Sequence, residues 1–137
     1  MQRNRTRKLV SAGAIGCSTA LMWSDTAITW WSNFLNFAMR VNSTATQSVL
    51  DNRPSGDADL HAVVWGFCAL LIAYALNWRD VWRATAGLFV WTVFVELAQP
   101  WFTEMRSRQL SDLIGNCFGI LLIAISVEVI AKVRARR

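Results

Sequence analysis

The sequence is poor in the residues that mark several common classes of protein. It contains two prolines, one tyrosine and one histidine among 137 residues, and its three cysteines are Cys17, Cys68 and Cys117. Because disordered and collagen-like chains are rich in proline and polar residues, the composition excludes both classes. Each cysteine stands inside an apolar run. We therefore interpret the thiols as small hydrophobic side chains and predict neither a disulfide framework nor a zinc site.

Charge is also scarce. Charged residues make up only 17% of the chain, whereas hydrophobic residues make up 54%. A soluble domain of this length could not bury so much apolar surface, so the composition predicts an integral membrane protein. The net charge of +5 would favour nucleic acid as the partner of a soluble protein. Here the basic residues stand at the ends of apolar runs, and we expect no nucleic acid partner.

Four apolar stretches are long enough to cross a membrane. A helix rises about 1.5 Å per residue, so a hydrocarbon core of roughly 30 Å requires about 20 apolar residues. Because lipid excludes open sheet edges, we predict an all-α membrane protein, a bundle of four transmembrane helices that forms a single membrane domain over 1–137. The predicted spans are about 9–31, 60–77, 81–99 and 112–133.

The end of the first span is open to two interpretations. The span continues to Trp31, or it ends near Trp23 and Asp25 caps the segment that follows. That segment continues into apolar residues at helical spacing, at positions 34, 35, 37, 38 and 41. This pattern predicts an interfacial helix on the outer face, between the first and second spans.

Lysine and arginine are enriched in the cytoplasmic flanks of membrane spans, and their distribution here is strongly uneven. Only four of these basic residues fall on one side of the predicted membrane: Arg40, Arg53, Arg106 and Arg108. We therefore predict that both termini are cytoplasmic. The basic residues assigned to the cytoplasmic side are Arg3, Arg5, Arg7, Lys8, Arg79, Arg83, Lys132, Arg134, Arg136 and Arg137.

Polar residues collect at the predicted outer ends of three spans. A charged residue inside a span raises the free energy of membrane insertion by roughly 2.5–3.5 kcal/mol at the bilayer centre. We therefore expect such residues to form a pair or a functional site. Glu96 is the clearest case, since Pro100 ends its helix at once and the helix dipole disfavours an acid there. We call the eight candidate binding residues the polar site: Asp57, His61, Glu96, Gln99, Arg106, Arg108, Asp112 and Asn116.

Simpler interpretations exist for several of these residues. Asp57 or Asp59 is placed to cap the second span, and Ser111 or Asp112 the fourth. Arg106 could form a structural ion pair with Glu96. One histidine among carboxylates also offers fewer ligands than an oxygen-rich cation site usually needs. We therefore expect no metal and no cofactor.

The region of about 57–125 resembles the VanZ-like family of small bacterial membrane proteins. In that family one helix opens with Asp-Lys-x-x-His, the next ends with Glu-x-x-Gln, an arginine follows in a short loop, and the last helix opens with Asp-x-x-x-Asn-x-x-Gly. Ala58 stands where the family has lysine. The matching residues here are Asp57, His61, Glu96, Gln99, Arg106, Asp112, Asn116 and Gly119.

The resemblance implies a multi-pass protein of the bacterial cytoplasmic membrane, with a role in the cell envelope and a link to glycopeptide antibiotic resistance. We expect a non-enzymatic protein whose outward-facing polar site binds an anionic lipid headgroup, a lipid-linked intermediate or a glycopeptide-like ligand. One alternative is an accessory subunit of a larger membrane complex. Another is an enzyme acting on a lipid phosphate or lipid-linked sugar, with His61 and either Glu96 or Asp112 as acid and base.

Overall fold

The described residues fold into helices. A computed structural model describes residues 2–41, 43–44, 47, 57–104 and 109–136, and this part of the chain contains no strand. The all-α prediction is therefore confirmed for these residues. The elements are α1 (Gln2–Met22), α2 (Thr26–Val41), α3 (Ala58–Ala75), α4 (Val81–Ala98), a 3-10 turn (Gln99–Trp101) and α5 (Leu110–Ala135).

Three of the described helices are long and apolar enough to cross a membrane. They are Ala58–Ala75, Val81–Trp101 and Leu110–Ala135, in agreement with the second, third and fourth predicted spans. Helix α1 is not among them, because basic residues occupy its first turns and it ends at Met22. Its apolar part, from Leu9 to Met22, has about 14 residues and is about 21 Å long at 1.5 Å per residue.

The first helix ends earlier than the predicted boundary at Trp31. Helix α1 stops at Met22 and α2 starts at Thr26, so residues 9–31 do not form one continuous helix, and the helix break lies where the second interpretation placed it, near Trp23. Two hydrogen bonds fix the break: the Ser24 amide donates to the Leu21 carbonyl over 3.0 Å, and Ser24 Oγ accepts the Thr26 amide over 3.2 Å. A short polar side chain that accepts the first amides favours a new helix start.

Helix α2 confirms that a helix follows the break. Its Ala27 is buried, whereas its large apolar side chains lie mostly outside. Trp30, Phe34, Phe37 and Val41 are each more than half exposed and follow one face at helical spacing. The helix therefore presents an apolar stripe away from the core.

Helices α3 and α5 form the most extensive helix–helix contact. Small residues allow it, because Gly115 and Gly119 of α5 lie directly against the backbone carbonyls of Ala58 and Ala62 of α3. A methyl group built on Gly66 would lie 3.2 Å from the Gly119 carbonyl oxygen. Small residues four apart let two backbones approach closely, as in membrane helix pairs.

Helix α1 lies antiparallel beside α3 and also contacts α4. Arg7 donates to Asn77 Oδ1 over 2.8 Å, and Ser11 Oγ donates to the Leu71 carbonyl over 2.9 Å. Farther along, Trp91 of α4 donates its indole N–H to Thr19 Oγ1 over 3.0 Å. The main core lies among these helices and includes the buried residues Met22, Trp65, Cys68, Leu88 and Val95.

The glycine seam yields a stability prediction. Replacing Gly119 by alanine places a methyl group on the Ala62 carbonyl, which is backbone and cannot rotate away. Overpacking of this kind costs about 1–3 kcal/mol, so we expect Gly119→Ala to lower the free energy of unfolding by that amount. The measurement is unfolding in mixed detergent micelles, followed by tryptophan fluorescence.

Gly87 provides the matched control. It lies inside α4 with no atom within 4 Å of an added methyl group. Since alanine is the better helix former by up to about 1 kcal/mol, Gly87→Ala should be neutral or stabilising. Equal unfolding free energies for the two variants would contradict the close packing of α3 on α5.

Candidate functional site

The polar site residues that the structure describes converge at one end of the helices. Helices α3 and α5 begin there and α4 ends there, so the first turns of two helices meet the last turn of a third. Every one of these side chains belongs to a residue that is at most 9% exposed. They are Asp57, His61, Glu96, Gln99, Asp112 and Asn116.

His61 is the centre of a hydrogen-bonded triad. Its Nδ1 lies 2.9 Å from Glu96 Oε1 and 2.9 Å from Asn116 Oδ1. Asn116 Nδ2 donates to Glu96 Oε1 over 3.0 Å, which assigns the amide oxygen of Asn116 to the side of the imidazole. Both neighbours of Nδ1 are then acceptors, so Nδ1 carries the proton and donates.

The other side of the imidazole faces acids. Nε2 of His61 lies 3.6 Å from Asp57 Oδ2. A ring nitrogen of His61 and one carboxylate oxygen from each of Asp57 and Asp112 all lie within 4.8 Å of one another. The imidazole thus stands between Glu96 with Asn116 on one side and Asp57 on the other, with Asp112 close by.

The capping interpretation fails for Asp57. It is the residue before α3, but its side chain makes no capping hydrogen bond. Its carboxylate approaches His61 instead. Asp112 lies in the first turn of α5, where a carboxylate is favoured by the helix dipole, and its Oδ1 accepts a hydrogen bond from Ser111 Oγ over 3.3 Å.

Gln99 serves a different contact from the other five. Its Nε2 donates to the Met22 carbonyl over 3.0 Å, which joins the end of α4 to the end of α1. The Trp23 indole donates to the Val95 carbonyl over 3.1 Å and stacks on Phe102 at 4.3 Å between ring centroids. Gln99 therefore holds the end of α1 against the end of α4, beside the histidine triad.

The structural role of the α1 end at this site was missed from the sequence. Met22 contributes a backbone carbonyl, which leaves no mark in a sequence pattern. Asp25 Oδ2 accepts the Glu104 amide over 3.3 Å, so the break after α1 is tied to the segment after α4. One sequence feature could have indicated this contact. The turn-forming residues Ser24 and Asp25 stand next to a tryptophan, at the membrane depth predicted for the polar site.

Arg106 and Arg108 lie outside the described residues, so their place in the polar site stays a prediction. The described part contributes three carboxylates and one imidazole. Such a set favours a positive group, because buried carboxylates are costly without charge compensation. The arrangement can hold a cation, orient an arginine toward an anion, or exchange a proton at His61.

Comparison of the chain with protein-family models, with curated proteins and with solved structures finds no match. The resemblance to the VanZ-like family accordingly rests on the residues and spacings given above.

Proposed function

We propose that this chain is a four-span protein of the bacterial cytoplasmic membrane, with both termini in the cytoplasm. The contacts of α1 support a fourth span, because it runs from Arg7 beside Asn77 at one end of α3 to Met22 beside Gln99 at the other. Its apolar part is short, but a long basic side chain at a helix end can reach the interface. Arg7 lies over the ring of Tyr74, 4.1 Å from its centroid, and is long enough for this role.

Helix α2 fits the outer membrane interface in this arrangement. It follows the end of α1, which lies at the same end of the molecule as the polar site. Its stripe of Trp30, Phe34, Phe37 and Val41 is exposed. Amphipathic helices bury such a face about 5–10 Å into the boundary between headgroups and acyl chains. We therefore place α2 along the outer surface of the bilayer.

The orientation is testable by labelling with a membrane-impermeant maleimide. In a chain whose native cysteines are replaced by serine or alanine, Glu104→Cys should react in intact spheroplasts, because residue 104 follows α4 at the polar site end. Arg136→Cys, at the end of α5, should react only after the membrane is permeabilised. The reverse pattern would contradict the proposed orientation, and labelling of both in intact cells would contradict an odd number of crossings between them.

The proposed activity is binding of an anionic headgroup from a membrane lipid or a lipid-linked intermediate at the outer leaflet, without catalysis. The observation that carries it is the convergence of polar side chains from three membrane helices at one end of the bundle. Arg106 and Arg108 stand in the sequence between the two helices whose ends bear Glu96 and Asp112. We propose that these arginines hold the anion and that the carboxylates orient them.

Native mass spectrometry of the detergent-purified protein tests the activity, with phosphatidylglycerol as the probe. We expect the chain to retain one lipid and Arg106→Gln to lower retention at least about tenfold, since a hydrogen bond to a charged group contributes roughly 1.5–3 kcal/mol and about 1.4 kcal/mol is a factor of ten. Arg136→Gln is the control, because it removes an equal charge near the other end of α5. Equal retention by all three proteins would refute a headgroup site at Arg106.

The near-complete burial of His61, Gln99 and Asn116 favours a second candidate function. A buried polar network can act as a lock between helices, as in a small accessory subunit of a larger membrane complex. The same purification distinguishes the two functions. Stable recovery with one large complex, with assembly impaired by Glu96→Gln and lipid retention unchanged by Arg106→Gln, would favour the subunit.

A further inference from the structure

We propose that a groove at the end of α5 binds one anionic phospholipid, with the lipid phosphate at Arg134. The groove has a volume of about 300 Å³, and we call it the Trp78 groove. It is lined by Trp78, Val127, Ile130, Ala131 and Arg134. It lies where α3 and α5 end, whereas the polar site lies where these helices begin. The inference therefore goes beyond headgroup binding at the polar site and does not require it.

The floor of the Trp78 groove is apolar and firmly packed. Val127 is buried in a small cluster with residues of α3 and α4, so its position is fixed by three helices. Ile130 and Ala131 follow on the next turn of α5 and are exposed. Together these side chains form an apolar strip along the last turns of the helix. Such a strip suits an acyl chain, since lipid tails are themselves apolar.

Arg134 supplies a positive charge at the end of this strip. It is exposed and stands four residues after Ile130, on the same face of α5. No acid forms an ion pair with Arg134 among the residues that the structure describes. Lys132, by contrast, is paired with Glu128 at 3.2 Å. Arg134 is therefore available to an anion, and a guanidinium can bind a phosphate through two parallel hydrogen bonds.

Trp78 closes the groove from the turn between α3 and α4, in an unusual backbone conformation. Its φ is 64°, in the left-handed region that bulky residues rarely adopt. The turn fixes it, because the Trp78 amide donates to the Ala73 carbonyl over 2.8 Å and the Asn77 amide donates to the Tyr74 carbonyl over 3.2 Å. This helix-ending motif requires a left-handed residue at Asn77 but not at Trp78. Disfavoured conformations of this kind cluster at binding sites.

The position of the indole matches the headgroup level of a bilayer. Trp78 is about half exposed and faces α5 from the end of a predicted span. Tryptophan prefers the boundary between headgroups and acyl chains. The groove thus has an aromatic wall and a cation at the depth of the lipid phosphates, with its apolar floor below them.

The charge around the groove selects an anionic lipid. Asp80 and Glu128 are acids at this end, and they are outnumbered by basic residues. Anionic lipids are attracted to such clusters, whereas a zwitterionic lipid gains little. In the proposed orientation this end faces the cytoplasmic leaflet. The basic residues with described side chains here are Arg5, Arg7, Lys8, Arg79, Arg83, Lys132, Arg134 and Arg136.

The experiment is a lipid titration of the delipidated full chain in detergent micelles, followed by native mass spectrometry. Because one helix and one turn line the groove, a lipid in it exchanges with the surroundings, and lipid is therefore added back after purification. The probes are phosphatidylglycerol and phosphatidylcholine with the same acyl chains. We expect one phosphatidylglycerol beyond any held at the polar site, bound at least about tenfold more tightly than phosphatidylcholine.

Matched variants assign this lipid to the groove. Arg134→Gln should weaken its binding at least about tenfold, the effect of losing a charge-assisted hydrogen bond. Arg136→Gln removes an equal charge outside the groove and should leave binding unchanged. Ala131→Phe should block the groove with a ring. Val129→Phe is its control, since Val129 is exposed and does not line the groove.

Two results would overturn the inference. One is a folded chain, verified by circular dichroism, in which neither Arg134→Gln nor Ala131→Phe weakens binding of phosphatidylglycerol. The other is equal affinity of the parent chain for the two lipids. Arg106→Gln separates this site from the polar site, because it should leave the lipid at Arg134 in place. A lipid that depends on Arg134 but not on Arg106 would support the groove and refute the proposed headgroup function alone.

Discussion

The structure depends on the contact between His61, Glu96 and Asn116. These side chains come from α3, α4 and α5, and each is buried where water cannot compensate an unpaired polar group. Each must therefore find its partner on another helix. This requirement sets the relative depth of the three helices, because a shift by one turn of about 5.4 Å would separate all three groups.

The glycine seam makes that contact attainable. Asn116 follows Gly115 directly, and Gly115 lies against the Ala58 carbonyl, one turn from His61. A larger side chain at this position would push α5 away from α3 and lengthen the 2.9 Å approach of Asn116 to the imidazole. Close backbone packing and the polar triad thus depend on each other. The hydrogen bond from Gln99 to the Met22 carbonyl also joins α1 to this end of the three helices.

The helices and much of the site could be predicted from the sequence, because the lengths of apolar runs and the spacings of polar residues indicate them. Apolar length revealed α3, α4 and α5, and the spacing of Glu96, Asp112 and Asn116 placed them at matching helix ends. The sequence could not predict which polar side chains are in contact, since contact depends on the rotation of each helix and on the distance between the helix backbones. The sequence also left the break after Met22 open, because two local hydrogen bonds of Ser24 decide it.

The buried charged groups are the most distinctive chemical feature of the polar site. Three carboxylates and one imidazole lie together in a region of low dielectric, where a compensating cation is strongly favoured. Under the proposed function, Arg106 and Arg108 supply that positive charge.

Nitrogen-15 NMR of the protein in bilayers tests the central claim most directly, because His61 is the sole histidine and gives unambiguous ring signals. The account predicts a protonated Nδ1 that exchanges slowly with deuterated water and whose chemical shift changes in Glu96→Gln and in Asn116→Leu. An unprotonated Nδ1, or a ring that exchanges rapidly and ignores both substitutions, would contradict the buried triad on which the arrangement of the helices depends.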